Sequence, residues 1–237
     1  MTFEERYPEE HIEGGSKIRS FILGFNDGLI SVFTLLVGVA AATLNEGNYT
    51  VILTGMAAMV SGAISMGLGE YVSSKSEARY IKNEIEREHA EIKLFPEEER
   101  EEVRGLLKNW GFKGEHLEKS LETIVSDEKS WIDFLTKSEL GLEEPENPII
   151  GGIITFIAFI AGSVIAIFPY FIDLGLISLI LSSIFSFSML FVVGAAKVKI
   201  TGENPWKSGI EMVLIGVVGF IVSYGIGYWV DIIIPSN

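Results

Sequence analysis

One carboxylate stands where a bilayer would be: Asp27, inside the apolar run FILGFNDGLISVF at 21–33. An aspartate at the middle of a span costs roughly 2.5–3.5 kcal/mol on translocon scales, so it has either a task or a partner. Asn26 and Ser61 are candidate hydrogen-bond partners for a purely structural role, but function is the better default for an intramembrane acid. A carboxylate withdrawn from water favours its neutral form, and a cation beside it favours the charged form. One aspartate can therefore alternate between a proton and a metal ion. Met66, in SGAISMGLGE at 61–70, lies among small residues and adds a soft thioether. A hard oxygen and a soft sulfur along one path suit a borderline cation such as ferrous iron. Glu70, near the end of the same run, either faces water or lines the route. Met56 reads as packing filler, and Asp173 reads as an edge residue that reaches water and needs no role.

A second group of acids lies in a charged block. Glu88 and Glu91 are three apart, as are Glu99 and Glu102, so each pair shares a helix face. If the two helices run antiparallel about KLFP at 93–96, the pairs converge. Four converging carboxylates repel unless a cation sits between them, and all-oxygen sites suit Mg, Ca, Mn and ferrous iron better than copper or zinc. The plainer alternative is a solvated helix face, with Glu97, Glu98 and Glu99 complementing the helix dipole behind Pro96. Glu86 and His89 form one Glu-x-x-His unit, but di-iron bundles need two. His89 is read as a surface residue.

The elements that must position these residues follow from hydropathy. The chain has 237 residues and a net charge of −14, yet 48% of it is hydrophobic, so charge and apolarity are segregated. Apolar runs fall at about 21–44, 50–72, 149–168, 170–196 and 209–230, each near the roughly 20 residues a spanning helix needs. The expected fold is an all-α membrane protein of five spans, with a cytoplasmic helical metal-binding insert between spans two and three. The expected organisation is an N-terminal segment (1–18), spans one and two (19–74), the acidic insert (75–147) and spans three to five (148–237). No signal peptide is evident, since about 20 polar residues precede a first run too long for an h-region. Gly24 and Gly28 form a small-xxx-small pattern that admits a close helix neighbour.

Within the insert, 77–146 holds 20 of the 32 acidic residues. The second span is expected to continue as a helix to the KLFP turn. Pro96 then opens a helix that Gly111 closes, and one or two more helices end near Gly141. All 18 Lys and Arg precede the first span, lie between Lys75 and Lys137, or lie around the loop between spans four and five. The positive-inside rule places that side, with the N-terminus and insert, in the cytoplasm and the C-terminus opposite. No cysteine is present, which excludes disulfides, thiolate metal sites and thiol catalysis.

Three segments, NDGLISVFTLLVGVAAA, SGAISMGLGEYVSSKSEA and WIDFLTKSELGLEEP, together resemble the vacuolar iron transporter family, over the chain from about Ser16 to the end of span five. The resemblance implies a homodimer of five-helix protomers that exchanges protons for ferrous iron and related divalent ions. It implies path residues at Asp27 and Met66, and insert metal ligands at Glu88, Glu91, Glu99, Glu102 and Glu139. Two departures from the family pattern stand out. Ala58 replaces a membrane glutamate eight residues before Met66, and Leu135 and Thr136 replace a Met pair. The first bears on proton coupling and the second on preference between iron and manganese.

The expected activity is therefore export of Fe²⁺, with Mn²⁺, from the cytoplasm by proton antiport. No permanent cofactor, no enzymatic reaction and no nucleic-acid partner is expected. The alternatives are an uncoupled divalent-cation facilitator and a membrane-anchored metal sensor or buffer. The short termini and loops favour a prokaryotic cell membrane, with a vacuolar membrane as the eukaryotic counterpart.

Overall fold

The computed structural model describes residues 15–43, 47–138, 147–201 and 204–233. The helices are α1 (Gly15–Ala42), α2 (Tyr49–Leu94), α3 (Pro96–Asn109), α4 (Gly114–Val125), α5 (Glu128–Ser138), α6 (Pro148–Ile167), α7 (Leu176–Thr201) and α8 (Pro205–Ile233). A 3₁₀ turn (Phe168–Ile172) follows α6. No strand occurs among the described residues. Five helical segments are long and apolar enough to cross a membrane: α1, α2, α6 with its 3₁₀ turn, α7 and α8. The chain divides into two compact units, residues 1–71 with 149–237, and residues 72–148.

In the first unit α1 is the central helix. Leu29, Val32, Phe33, Leu36 and Val37 are essentially inaccessible, a stripe at the 3.6-residue period. Contact with α6 depends on glycine. A Cβ on Gly28 would lie 2.2 Å from the Phe159 carbonyl oxygen, and one on Gly24 would lie 2.6 Å from that of Thr155. From the other side, a Cβ on Gly162 would meet the Phe25 carbonyl at 2.2 Å. The small-xxx-small expectation holds, and the neighbour it admits is α6. Gly38 and Gly227 let α8 approach just as closely, and Phe33 meets Phe187 of α7 edge to face at 5.4 Å. Without a hydrophobic driving force between helices in lipid, such close backbone packing and buried polar contacts hold a bundle together.

One span boundary differs from expectation. The fourth helix starts at Leu176 rather than at about 170, because Pro169 sits in the 3₁₀ turn and Asp173 and Gly175 take left-handed φ values of 51° and 56°. Asp173 also has a role that the sequence did not suggest. Its Oδ1 accepts the backbone N–H of Asn48 at 3.2 Å. The buried Asn48 amide donates to the Tyr170 carbonyl and to Ser178 Oγ, both at 2.9 Å. That network ties the α2 N-terminus to the turn before α7.

The second unit is a small helical bundle. Its core joins Ile92 of α2, Val103 and Leu107 of α3, Leu117 and Leu121 of α4, and Trp131, Ile132 and Leu135 of α5. The second apolar run does continue as one helix to Leu94, and Phe95 alone separates it from α3. Pro96 occupies the first turn of α3. At the other end Gly111 adopts φ +93°, with its N–H on the Lys108 carbonyl and that of Phe112 on the Leu107 carbonyl, both at 3.0 Å. This pair of bonds is a Schellman stop. Asp127 caps α5, accepting the Ser130 N–H at 2.9 Å and its hydroxyl at 2.8 Å. Those bonds hold the Asp127 carboxyl below the usual aspartate range. Gly141, where the last insert helix was expected to end, lies outside the described residues.

Candidate metal-binding residues

Asp27 is the thirteenth of the 28 residues of α1, so it stands near the helix midpoint. The inward stripe of α1 passes through Gly24, Gly28 and Leu29, which leaves Asp27 half-buried on another face. Leu23, Ser31 and Leu35 continue that face at four-residue steps and are exposed, so the described helices leave it largely uncovered. No hydrogen bond or ion pair to the Asp27 carboxylate occurs among the described residues. The proposed structural partners do not serve it. Ser61 is exposed, and neither its hydroxyl nor the Asn26 amide donates to the carboxylate among the described residues. Ser31 instead donates to the Asp27 backbone carbonyl.

Met66 is half-buried and packs against the core of the first unit, as does Ala58. Met56 is 40% exposed, in keeping with filler. Glu70 accepts a hydrogen bond from the buried Ser20 hydroxyl at 2.8 Å. The Ser20 carbonyl in turn receives the Thr155 hydroxyl at 3.4 Å, which links α1, α2 and α6. Ser20 was not singled out from sequence, where one serine beside Arg19 carries no distinguishing signal. Glu211 was also passed over, although it lies within the fifth apolar run, and it is exposed on α8.

In the second unit Glu88 and Glu99 are buried, Glu91 is half-buried and Glu102 is exposed. Burial pushes the Glu88 carboxyl above its ordinary range. Glu99, Glu91 and Glu102 push it further, and Arg87 opposes them. Three of the four glutamates thus act electrostatically on the fourth, Glu88. Yet no three His, Asp or Glu side chains among the described residues gather tightly enough to hold an ion. The difference is one of range, since a field acts over a Debye length while coordination requires oxygens at 2.0–2.6 Å. Arg87 is a counter-charge that the spacing argument left out. It lies 3.9 Å from Glu88 and 3.7 Å from Glu91, and its closest partner is Glu84 at 2.7 Å. Glu139 lies outside the described residues. His89 is accessible and its Nδ1 is 3.1 Å from Glu128, which Lys93 also approaches at 3.3 Å. Leu135 and Thr136 are both buried, and the Thr136 hydroxyl has no partner among the described residues.

Five helices long and apolar enough to span a membrane, the first with a half-buried carboxylate near its middle, together with an acidic helical unit, describe a polytopic membrane protein. Residues 18–228 match the sequence model of the VIT family. A vacuolar iron transporter of Centaurea cyanus is 34% identical over 224 residues, covering 93% of this chain and 90% of that protein. Vacuolar iron transporter 1 of Arabidopsis thaliana is 31% identical over 227 residues, covering 94% and 90%. A vacuolar iron transporter of Toxoplasma gondii is 29% identical, covering 98% of this chain and 80% of its own length. The chain belongs to the VIT family.

Proposed function

We propose that the protein carries ferrous iron, with manganese, out of the cytoplasm in exchange for protons. The observation that carries this reading is Asp27: a carboxylate at the middle of an apolar helix, half-buried and without a protein partner among the described residues. Family membership supports it, because relatives similar over nine-tenths of the chain are named iron transporters. A carboxylate left facing hydrocarbon is expensive. A second copy of the chain, placed against the row Leu23, Asp27, Ser31 and Leu35, covers it and sets two such acids face to face. Metal binding then displaces the proton of Asp27, and release on the far side lets the proton return. Met66 and Glu70 extend the route along α2, with Ser20 holding Glu70 until a cation takes its oxygens.

In this reading the insert, on the cytoplasmic side, collects the ion. Glu88 and Glu99 are already buried, and a divalent cation draws Glu91 and Glu102 in, with Glu139 completing the oxygens. Hard oxygen donors with no sulfur nearby leave manganese as acceptable as ferrous iron. Ala58 favours a second reading, uncoupled facilitation, because a methyl group packed against the core carries no proton. Proteoliposomes holding a pH-sensitive dye separate the two. An imposed Fe²⁺ or Mn²⁺ gradient acidifies the compartment that loses metal if transport is antiport. Metal flux with no pH change establishes the facilitator, and absence of any flux from folded protein rejects both.

A further inference from the structure

We propose that Arg87 and Glu84 form a gate on the acids around Glu88: the Arg87 guanidinium competes with a divalent cation for Glu88 and Glu91, and Glu84 is the carboxylate onto which it withdraws when the cation binds. The inference rests on the reading of Glu88, Glu91, Glu99 and Glu102 as cation ligands, and adds two residues outside that set. Glu84, Glu88 and Glu91 lie at i, i+4 and i+7 of α2 and so share one stripe. Arg87 follows Glu84 by three residues and precedes Glu91 by four, within reach of both. Its Nη2 and Nη1 meet the two oxygens of Glu84 at 2.7 and 3.3 Å, a bidentate fork. Nη2 also lies 3.9 Å from Glu88, and Nε lies 3.7 Å from Glu91. The guanidinium is thus hydrogen-bonded to an acid outside the candidate ligands while its charge bears on two acids within them.

Burial and charge set the direction of movement. The side chains of Glu84 and Glu88 are only 13% and 3% exposed, whereas that of Arg87 is 53% exposed, so the acids are held and the cation is free to shift. Neighbouring cations are engaged elsewhere: Lys82 with Glu86, Lys93 with Glu128 and Arg100 with Glu122. A guanidinium keeps its charge at every pH where the glutamates are ionised. A metal ion ligated by Glu88 or Glu91 takes oxygens at 2.0–2.6 Å and therefore meets a positive charge just beyond them. Two like unit charges 4 Å apart in water already change a binding constant roughly sixfold, and a divalent ion raises the penalty. Full withdrawal onto Glu84 relieves that repulsion, and the contact it requires is already made. The gate lowers the affinity of the insert, so that it hands ions on instead of retaining them.

The test is a double-mutant cycle on Mn²⁺ affinity, measured by calorimetry on full-length protein carrying Asp27→Asn, so that the membrane acid adds no site. Arg87→Gln should tighten binding several-fold. Glu84→Gln should weaken it several-fold, because the guanidinium loses its own carboxylate and closes on Glu88 and Glu91. With Arg87→Gln already present, adding Glu84→Gln should change affinity by less than about twofold, the margin within which uncoupled sites add. Equal effects of Glu84→Gln with and without Arg87 overturn the gate, since Glu84 then contributes only its own field. Unchanged affinity in folded Arg87→Gln overturns it too. Glu88→Gln/Glu102→Gln supplies the separate check on the underlying reading: if it binds Mn²⁺ as tightly as its parent, these acids are not ligands and the gate falls with them.

Discussion

Alanine at Gly28 tests the packing that holds Asp27 in place. The new Cβ would stand 2.2 Å from the Phe159 carbonyl oxygen and 2.8 Å from its carbonyl carbon and Cα. Backbone cannot rotate away as a side-chain tip can, so α1 and α6 must part by roughly 1 Å to restore a contact near 3.4 Å. Overpacking of this kind costs about 1–3 kcal/mol. The displaced length of α1 includes the Ser163 hydroxyl contact on the Gly28 carbonyl at 3.2 Å. Gly69 is the matched control: it also lies in a helix, but a Cβ there meets nothing within 4 Å, and alanine there gains up to about 1 kcal/mol of helix propensity. The assay is thermal stability of purified full-length protein, read as survival of the monodisperse peak after heating. For chains of this size 1 kcal/mol corresponds to about 2–4 °C, so Gly28→Ala should lower the midpoint by about 2–12 °C. Gly69→Ala should leave it unchanged or raise it. Equal midpoints for the two variants would refute the claim that glycine is required for the α1–α6 contact.

Other expectations follow from the same structure. Asn48→Ala strips donors from the Tyr170 carbonyl and Ser178 and should cost about 2 kcal/mol, seen as a lower thermal midpoint. Because the folded chain raises the Glu88 pKa, the native state holds that proton to higher pH than the unfolded state does. The metal-free insert should therefore lose stability as pH rises through the folded Glu88 value, with the full benefit present below the ordinary glutamate range. Amide exchange in α2 and α3 should show that slope, and Glu88→Gln should flatten it. Asp127 has the opposite sign: its capping benefit is present above the ordinary aspartate value and fades as pH falls through its lowered one. Asp127→Ala should speed exchange in the first turn of α5. Arg87→Gln removes a positive charge within 4 Å of Glu88 and Glu91, so calorimetric Mn²⁺ binding should tighten several-fold.

Legibility from sequence tracked the range of the interaction concerned. The run from Tyr49 to Leu94, the Pro96 start and the Gly111 stop are local signals of propensity and turn chemistry, and each appears where the residues placed it. Gly24 and Gly28 announced a close neighbour but not its identity, because small residues admit any helix. The start of α7 was misplaced because an apolar run does not show that Pro169 and a left-handed Asp173 interrupt it. Asn48, Ser20 and Arg87 were missed for a shared reason. Their importance lies in partners 50 to 130 residues away, or in one counter-charge among many, and no local pattern marks either. Asp27 stood out because an apolar run makes a lone charge conspicuous.

The central claim is that the Asp27 carboxylate carries the cation across. Its most direct test is the initial rate of Fe²⁺ flux through proteoliposomes containing Asp27→Asn, beside wild type and Ser31→Ala from the same exposed face. Asparagine keeps the size and removes both the charge and the exchangeable proton, so flux and its pH signal should fall to the protein-free level while Ser31→Ala retains both. Wild-type flux through folded Asp27→Asn would show that the ion takes another path and that Asp27 has only a structural role.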